Sequence, residues 1–243
     1  MAGEGSRFRK AGYEKPKPFI DVLGKPMIKW VMENLRVPGA HYILIARKEH
    51  IDSEPELVAA IEKEFPVTII TLDQLTEGTA CTVLFSRKQI NNDIPLLIAN
   101  SDQWVEFNLG DMLQDARQNG WDGSILTFTD REMNPKWSFA KANEKREVVE
   151  VKEKVAISDN ATVGIYFFKK GSDFVEAAID MIVHNERVNN EFYTCPVYNW
   201  AIKNNLLIGI YDIPASAMHG LGTPEDLEFF LSWIHSYHPE LNR

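Results

Sequence analysis

The chain has 243 residues, 44% of them hydrophobic, and carries a formal net charge of −9 at pH 7. This length is enough to bury a core as one large domain or two small ones. The acidic balance argues against nucleic acid as the main partner. The apolar stretches are too short to span a bilayer, and no segment near the start resembles a signal peptide. We therefore predict a cytoplasmic protein with small-molecule ligands and with no nucleic-acid or membrane partner.

The first 25 residues carry the opposite charge to the rest of the chain. They hold six basic side chains against three acidic ones, a local charge of +3 that leaves −12 for the remainder. Gly3 and Gly5 lie in this segment, and glycine backbone can approach an anion closely with its N–H groups facing it. Termini are often disordered, but a basic glycine segment in an acidic chain attracts anions. We predict a phosphate-binding loop at residues 3–7.

Apolar periodicity alternates between helical and extended patterns over the next hundred residues. Helices are predicted at 27–35, 56–65, 79–88 and 109–118, and strands at 42–46, 67–70, 96–99 and 124–128. Strands that alternate with helices indicate βαβ units. The sequence thus predicts an α/β fold of one domain, with a Rossmann-like, doubly wound, mixed but mostly parallel sheet.

The pattern changes after residue 130. Strands, antiparallel in part, are predicted at 139–141, 148–151 and 161–168, and a further strand at 206–211. Helices are predicted at 173–184, at 196–204 and after Thr223. We predict a nucleotide-binding part at about 1–130 and a part for a second ligand at about 131–243. A glycine loop in such a sheet normally follows the first strand, whereas only Met1 and Ala2 precede this one, so either an upstream strand is missing from the sequence or the sheet begins with an incomplete edge.

Several short motifs occur in a set order. The opening Gly-x-Gly-Ser-Arg-Phe is followed by Lys17-Pro18 and by Gly24-Lys25-Pro26-Met27-Ile28. Later motifs are Glu77-Gly78-Thr79-Ala80, Asn100-Ser101-Asp102, Glu153-Lys154 and Gly222-Thr223-Pro224-Glu225-Asp226-Leu227. Together they resemble the signature of the sugar-phosphate nucleotidylyltransferases, the pyrophosphorylases that make nucleoside diphosphate sugars. The resemblance extends over nearly the whole chain.

The resemblance implies transfer of a nucleotidyl group from a nucleoside triphosphate to a phosphorylated acceptor, with release of pyrophosphate. Proteins assist such transfers mainly by positioning and charge neutralisation. The implied catalytic residues are Arg7, which faces the departing pyrophosphate, and Lys17, which lies against the reacting phosphates. The implied nucleotide-binding residues are Ala2, Gly3, Gly5, Ser6, Arg7, Lys17, Asp73, Gln74, Gly78, Thr79 and Asn100.

The resemblance also implies an acceptor site and a metal. The implied acceptor-binding residues are Glu153, Lys154, Gly164 and Asn190, with Lys154 on the acceptor phosphate. Asp102 follows the predicted strand 96–99, at the edge where α/β sheets bind ligands, and is the implied ligand of Mg²⁺. The partners are then a nucleoside triphosphate and a phosphorylated small molecule, and a homo-oligomer is left open.

The chain departs from the family pattern at two places. Many relatives have a second metal aspartate shortly before the closing Gly-Thr, and the aligned residue here is Gly220. Imidazole is a poor partner for Mg²⁺, so we expect His219 to pack or to face the acceptor. We expect Glu225 and Asp226 to charge the first turn of the last helix, which leaves Asp102 as the principal ligand.

The second departure concerns the nucleotide base. The base-reading glutamine usually stands one place further from Gly78 than Gln74 does, where this chain has Asp73. The base and the acceptor therefore stay open. The chain resembles a subset associated with bacterial capsule and surface-polysaccharide genes, some members of which resemble cytidylyltransferases acting on non-sugar phosphates. A sugar 1-phosphate is the first candidate acceptor, and a non-sugar phosphate for capsule modification is the alternative.

Other protein classes fit the sequence less well. A Rossmann dehydrogenase needs a third glycine near Phe8 and an acid after the second strand, which ends at Ala46-Arg47-Lys48. A metal-dependent glycosyltransferase would show Asp-x-Asp, whereas Ser101-Asp102-Gln103 holds one acid. A non-catalytic nucleotide-sensing module is the remaining alternative, and the presence of both Lys17 and Asp102 favours an enzyme over it.

Overall fold

A computed structural model describes residues 1–3 and 5–238 of the chain. These residues form two compact units. The first unit contains Met1–Leu75, Ser101–Glu106 and the described residues from Ser216 onward, and the second contains Thr76–Asn100 and Phe107–Ala215. The division of binding roles at about residue 130 stays a prediction.

Helices and strands alternate along the chain. The helices are α1 (Ser6–Lys10), α2 (Met27–Asn34), α3 (Lys48–Ser53), α4 (Pro55–Glu64), α5 (Thr79–Leu84), α6 (Arg87–Ile90), α7 (Leu109–Gln118), α8 (Gly171–Val183), α9 (Val197–Lys203) and α10 (Pro224–Tyr237). The strands are β1 (Asp21–Val22), β2 (Lys25–Pro26), β3 (Tyr42–Arg47), β4 (Val67–Leu72), β5 (Leu96–Ala99), β6 (Gln103–Val105), β7 (Gly123–Thr129), β8 (Ser138–Ala142), β9 (Val148–Glu153), β10 (Asn160–Phe168), β11 (Ile208–Ile213) and β12 (Met218–Gly220). Short 3₁₀ helices cover Lys17–Phe19 and Ala215–Ala217.

The first unit is built around an apolar cluster to which three helices contribute. Phe8 of α1, Trp30 of α2 and Phe230 of α10 are buried in it. Strands β3 and β4 pair in parallel, and β6 pairs with β12 antiparallel. Helix α10 begins where Thr223 caps it by accepting a hydrogen bond from the Asp226 amide at 3.1 Å, as threonine commonly does at a helix start. This core fixes the positions of the short opening helix α1 and of the segment before α10.

The second unit contains a six-stranded mixed sheet. Its order is β11-β7-β10-β8-β9, and β5 pairs with the other part of β10. Strand β10 runs antiparallel to β5, β7 and β8, whereas β7 and β11 are parallel. The predicted α/β class and mixed sheet are confirmed. Among the described strands, parallel pairing is confined to β3–β4 and β7–β11. This is less than a mostly parallel sheet implies, because β8 and β9 form an antiparallel pair across a short connection and β10 is antiparallel to each of its partners.

The predicted helices and strands are found with small shifts at their ends. The predicted helix at 79–88 divides into α5 and α6 because Ser86 bonds back to the preceding turn: its hydroxyl donates to the Val83 carbonyl at 2.6 Å, a side-chain bond that competes with regular helix. Helix α3 was not predicted, since its sequence is mostly polar and lacks a helical apolar stripe. Among residues 1–3 and 5–238, no helix combines the length and apolar character needed to cross a membrane.

Candidate active site

The opening glycine segment leads directly into helix α1 in the first unit. Gly5 has φ +62° and ψ +27°, the left-handed region that favours glycine. A Cβ at this position would lie 3.1 Å from Lys17 Cβ, so glycine also permits the close approach of the Lys17 segment. Phe8, 1% exposed, anchors the helix in the core. The amides of the first helical turn lack intrahelical partners and are available to an anion, as the loop prediction requires.

Lys17 and Asp102 meet in the first unit. Lys17 Nζ lies 2.5 Å from Asp102 Oδ2 and 3.1 Å from the Gly222 carbonyl oxygen. Lys17 begins a 3₁₀ helix between Pro16 and the buried Pro18, so its backbone has little freedom. The Asp102 carbonyl accepts a hydrogen bond from the Leu221 amide at 2.8 Å. The two side chains predicted for the reacting phosphates and for the metal are therefore held together.

A cavity of about 330 Å³ lies beside this ion pair. Its volume falls within the range of about 300–1,000 Å³ found for small-molecule sites. It is lined by six of the predicted residues, namely Gly3, Gly5, Ser6, Arg7, Lys17 and Asp102. Arg7 is exposed and has no ion-pair partner among the residues that the structure describes. Ala2 precedes the loop and is half-buried.

Asp226 also approaches this site, which the sequence reasoning missed. A Cβ placed on Gly222 would lie 3.5 Å from Asp226 Oδ2, 3.6 Å from Asp102 Oδ2 and 3.9 Å from Lys17 Nζ. A Cβ on Gly220 would lie 3.6 Å from Asp226 Oδ2. Asp226 does lie in the first turn of α10, as predicted. In addition, its carboxylate lies next to Gly220, the position at which many relatives have the second metal aspartate. The glycine at this position is the sequence signal from which the role of Asp226 could have been predicted.

Few protein side chains could bind a cation beside Gly222. Within the described ranges 1–3 and 5–238, no group of three or more His, Cys, Asp and Glu side chains is placed to hold a metal. Mg²⁺ does not need such a group, because it is commonly held by one or two carboxylates together with substrate phosphates and water. The carboxylates of Asp102 and Asp226, which face the same glycine backbone, fit that donor set.

His219 packs against aromatic side chains of the first unit. It is 4% exposed, and its ring centroid lies 3.9 Å from that of Trp233. Burial lowers the pKa of His219, while the charge of Glu106 opposes the shift. Neither ring nitrogen has a hydrogen-bond partner in the described part of the chain. Of the two alternatives expected for His219, packing or facing the acceptor, its burial against Trp233 agrees with packing.

The residues predicted to read the base fall in both units. Asp73 and Gln74 are exposed after β4 in the first unit, and Gly78 and Thr79 stand at the start of α5 in the second. Gly78 has φ +118°, and a Cβ there would lie 2.4 Å from the Phe192 carbonyl oxygen. Only glycine fits this turn, because both the backbone conformation and the contact exclude a side chain.

Glu153 and Lys154 end strand β9 in the second unit. Glu153 is 8% exposed and accepts a hydrogen bond from the Ser138 hydroxyl. Burial raises the pKa of Glu153, against the opposing effects of Ser138 and Lys154. Lys154 has φ +58°, unusual for a residue with a side chain, and its ammonium donates to the Tyr193 hydroxyl at 2.7 Å. Tyr193 was not among the predicted site residues.

The remaining predicted residues are in two further places of the second unit. Gly164 has φ +88° in an irregular part of β10, and its carbonyl accepts from the Asn100 amide at 3.0 Å. Asn190 has φ +65°, and its carbonyl accepts from Arg187 at 3.1 Å. A larger cavity of about 670 Å³, lined by 129–132 and 212–215, contains none of the predicted residues. The geometry thus brings together Lys17 with Asp102, and Asn100 with Gly164.

Comparison with known proteins decides the family. A family model described as nucleotidyl transferase matches residues 1–197. The chain belongs to this nucleotidyl transferase family. Its resemblance to the sugar-phosphate nucleotidylyltransferases is thereby confirmed.

Similar proteins place this nucleotidyl transferase family member near mannose-1-phosphate guanylyltransferases. It is 29% identical over 176 residues to mannose-1-phosphate guanylyltransferase 1 of Arabidopsis thaliana, covering 68% of this chain and 47% of that protein. It is 32% identical to the regulatory subunit alpha-B of this enzyme from Danio rerio, over 68% of this chain and 42% of that protein. The chain thus spans about half the length of these curated relatives.

Solved structures share the fold along the chain. The nucleoside-diphosphate-sugar pyrophosphorylase from Vibrio cholerae RC9 matches with a TM-score of 0.80 and 26% identity, over 96% of this chain and 98% of that one. The inositol-1-phosphate CTP transferase from T. maritima matches with a TM-score of 0.70 at 13% identity, over 97% and 94% of the two chains. The second likeness concerns the fold alone.

Proposed function

We propose that this protein transfers a nucleotidyl group from a nucleoside triphosphate to a phosphorylated acceptor, with a sugar 1-phosphate as the first candidate. The observation that carries the proposal is the meeting of Lys17 with Asp102 beside a cavity bounded by a glycine loop. The names of the relatives support the same reaction class. In a surface-polysaccharide pathway, such a reaction would supply the activated precursor in the cytoplasm.

The chemistry uses the first unit for the triphosphate. An oxygen of the acceptor phosphate attacks the α-phosphorus, the new P–O bond forms, and the bond to pyrophosphate breaks in line. Arg7, exposed beside the cavity, neutralises the departing pyrophosphate, and Lys17 neutralises charge at the reacting phosphates. The loop amides from Gly3 to Arg7 hold the phosphate oxygens. Positioning and electrostatics of this kind supply most of the rate in such transfers.

Mg²⁺ is the cofactor of this proposal, with Asp102 as its principal protein ligand. Asp226 supplies the second carboxylate, since Gly220 and Gly222 leave the space into which it reaches. When bound, the cation neutralises phosphate charge. Lys17 pairs with Asp102 in this structure. A cation held by Asp102 would release the ammonium of Lys17, which could then contact the triphosphate.

The second unit carries the acceptor in this proposal. Lys154 binds the acceptor phosphate, and Glu153 accepts hydrogen bonds from acceptor hydroxyls. Gly164 and Asn190, both at left-handed backbone positions, present their backbone to the rest of the acceptor. Gly78 and Thr79 contact the base, with Asp73, Gln74 and Asn100 as further nucleotide contacts.

Two alternatives are distinguished by one experiment. A cytidylyltransferase for a non-sugar phosphate would use the same residues, and a non-catalytic nucleotide-sensing module gains support from the regulatory subunit among the relatives. Pyrophosphate release is measured with GTP, CTP, UTP, dTTP and ATP, each paired with mannose 1-phosphate, glucose 1-phosphate or inositol 1-phosphate. We expect release with one preferred triphosphate and one preferred acceptor. Triphosphate binding with no release from any pair would contradict the proposal and favour the sensing module.

A further inference from the structure

Lys154 is held in place by a tyrosine that no sequence motif marks. Its ammonium donates to the Tyr193 hydroxyl at 2.7 Å and lies 4.5 Å from the centroid of the Tyr193 ring. Its amide donates to the Trp137 carbonyl at 3.1 Å. Lys154 is therefore well ordered despite its left-handed backbone, because both its backbone amide and its side-chain ammonium are hydrogen-bonded.

The Tyr193 hydroxyl stays a neutral phenol. Burial raises the pKa of Tyr193, while the bond to Lys154 and the charge of its ammonium oppose the shift. The phenol oxygen therefore accepts the hydrogen bond from Lys154. A long, flexible lysine side chain that is oriented in advance loses less freedom when it binds a phosphate.

The backbone on either side of Tyr193 is tied to the 77–80 turn that precedes and begins α5. The Phe192 amide donates to the Glu77 carbonyl at 2.7 Å, and the Thr194 amide donates to the Thr79 hydroxyl at 2.9 Å. A tyrosine between two anchored neighbours has little freedom to move. The place of the Lys154 ammonium is therefore set by the same turn that holds the predicted base-binding residues.

We propose that Tyr193 is a positioning residue, which orients the Lys154 ammonium for the phosphate of the acceptor and links its place to the 77–80 turn. The inference rests on the proposed function, because it assigns Lys154 to the acceptor. It adds that the acceptor affinity depends on a hydroxyl that itself needs no contact with either substrate. Removal of the Tyr193 hydroxyl should therefore have no effect on acceptor affinity when the Lys154 ammonium is absent.

The test is a double-mutant cycle with Tyr193→Phe and Lys154→Met. Steady-state KM and kcat are measured for the best pair of the triphosphate and acceptor panel, in the wild-type protein, in both single variants and in the double variant. Tyr193→Phe keeps the ring but removes the hydroxyl, and we expect the acceptor KM to rise about three- to tenfold, the effect of one lost hydrogen bond. The triphosphate KM should stay within about twofold. In the Lys154→Met background, Tyr193→Phe should change the acceptor KM no further.

One control variant tests whether any lost phenol has the same effect. Tyr211→Phe removes a phenol from β11, outside these contacts, and should leave both KM values unchanged. Melting temperatures identify any variant that is destabilised, in which case the whole cycle is measured at a lower temperature at which all four proteins are folded.

The outcomes separate the inference from the proposed function. An equal rise in the acceptor KM from Tyr193→Phe in both backgrounds, or an equal rise of both substrate KM values, overturns the positioning role while the enzyme activity stands. Absence of turnover with every pair in the wild-type protein overturns the proposed function, and the inference fails with it.

Discussion

The ammonium of Lys17 lies 2.5 Å from the carboxylate of Asp102, although the two residues are 85 positions apart in the chain. The lysine predicted for the phosphates and the aspartate predicted for the metal thus neutralise each other in the absence of ligands. A metal ion bound to Asp102 would repel the ammonium of Lys17, because both carry positive charge. We therefore expect the Lys17–Asp102 pair to separate when the metal and the triphosphate bind.

Removing the lysine should abolish most of the activity and strengthen metal binding in the free protein. We expect Lys17→Ala to lower kcat about 10²–10³-fold, the effect of losing one electrostatic stabiliser of the transition state. Mn²⁺ binding without substrates, measured by calorimetry, should become tighter because Asp102 loses its competing cation. Lys15→Ala, which removes a half-exposed lysine near Glu54, is the matched control and should change neither quantity. Wild-type turnover in Lys17→Ala would refute our reading of the opening loop.

Chelation should stop turnover, and the two carboxylates should share the metal. Excess EDTA is expected to abolish pyrophosphate release. Asp102→Asn should eliminate activity or sharply raise the Mg²⁺ requirement. Full activity in excess EDTA would show that the reaction does not need the metal.

Asp226→Asn should raise the Mg²⁺ concentration for half-maximal rate several-fold, because the second carboxylate near Gly222 becomes neutral. The helix start should survive, since the Thr223 cap contacts the backbone amide of residue 226 and not its side chain. Glu225→Gln removes a neighbouring charge from the same helical turn and is the control. Calorimetric Mn²⁺ binding provides a readout apart from activity. Equal Mg²⁺ dependence in both variants would assign Asp226 to the helix alone.

Gly78→Ala should destabilise the protein more than Gly39→Ala, because only Gly78 is in close contact with another segment. Both Gly78 and Gly39 have positive φ, but a Cβ on Gly39 has no atom within 4 Å, whereas one on Gly78 would lie 2.4 Å from the Phe192 carbonyl oxygen. Backbone strain alone costs about 1–3 kcal/mol, and we expect Gly39→Ala to show only this part in chemical denaturation. Equal losses in the free energy of unfolding would mean that the 77–80 turn can move away from Phe192.

His219 should affect stability at acid pH and leave the metal dependence unchanged. Because burial lowers the pKa of His219 in the folded state, the unfolded chain takes up a proton first as the pH falls below about 6.5. This contribution to stability is therefore full above that pH and is lost below it. His219→Phe should reduce the drop in melting temperature between about pH 7.5 and about pH 5.5. The buried His50, whose pKa burial also lowers, keeps part of that drop.

The Mg²⁺ concentration for half-maximal rate should stay nearly unchanged in His219→Ala. The imidazole packs on Trp233 and is a poor ligand for a hard cation. A large rise in that concentration would place His219 at the metal instead.

Most elements of the fold could be predicted from the sequence because their signals are local. Helix α7 was predicted with the bounds Leu109–Gln118 from the helical spacing of its apolar residues, and the structure adds that Asn108 caps its start. Strand β5 was likewise predicted at Leu96–Ala99 from its continuous apolar run. Periodicity, caps and turn residues act over a few positions, so a sequence shows them directly. Helix α3 was missed because its residues carry no such periodic pattern.

The sequence by itself determined the family, the order of its motifs and the residues that we expect to bind phosphate, metal and acceptor, because these are properties of short stretches. Only the tertiary structure decided which side chains are partners. Lys17 pairs with Asp102 across 85 positions, and Lys154 pairs with Tyr193 across 39. Asp226 reaches Gly220 and Gly222 because α10 starts beside β12 and packs its apolar face into the core with Phe8 and Trp30. Such contacts depend on how distant elements pack, and no local pattern of residues encodes a distance between them.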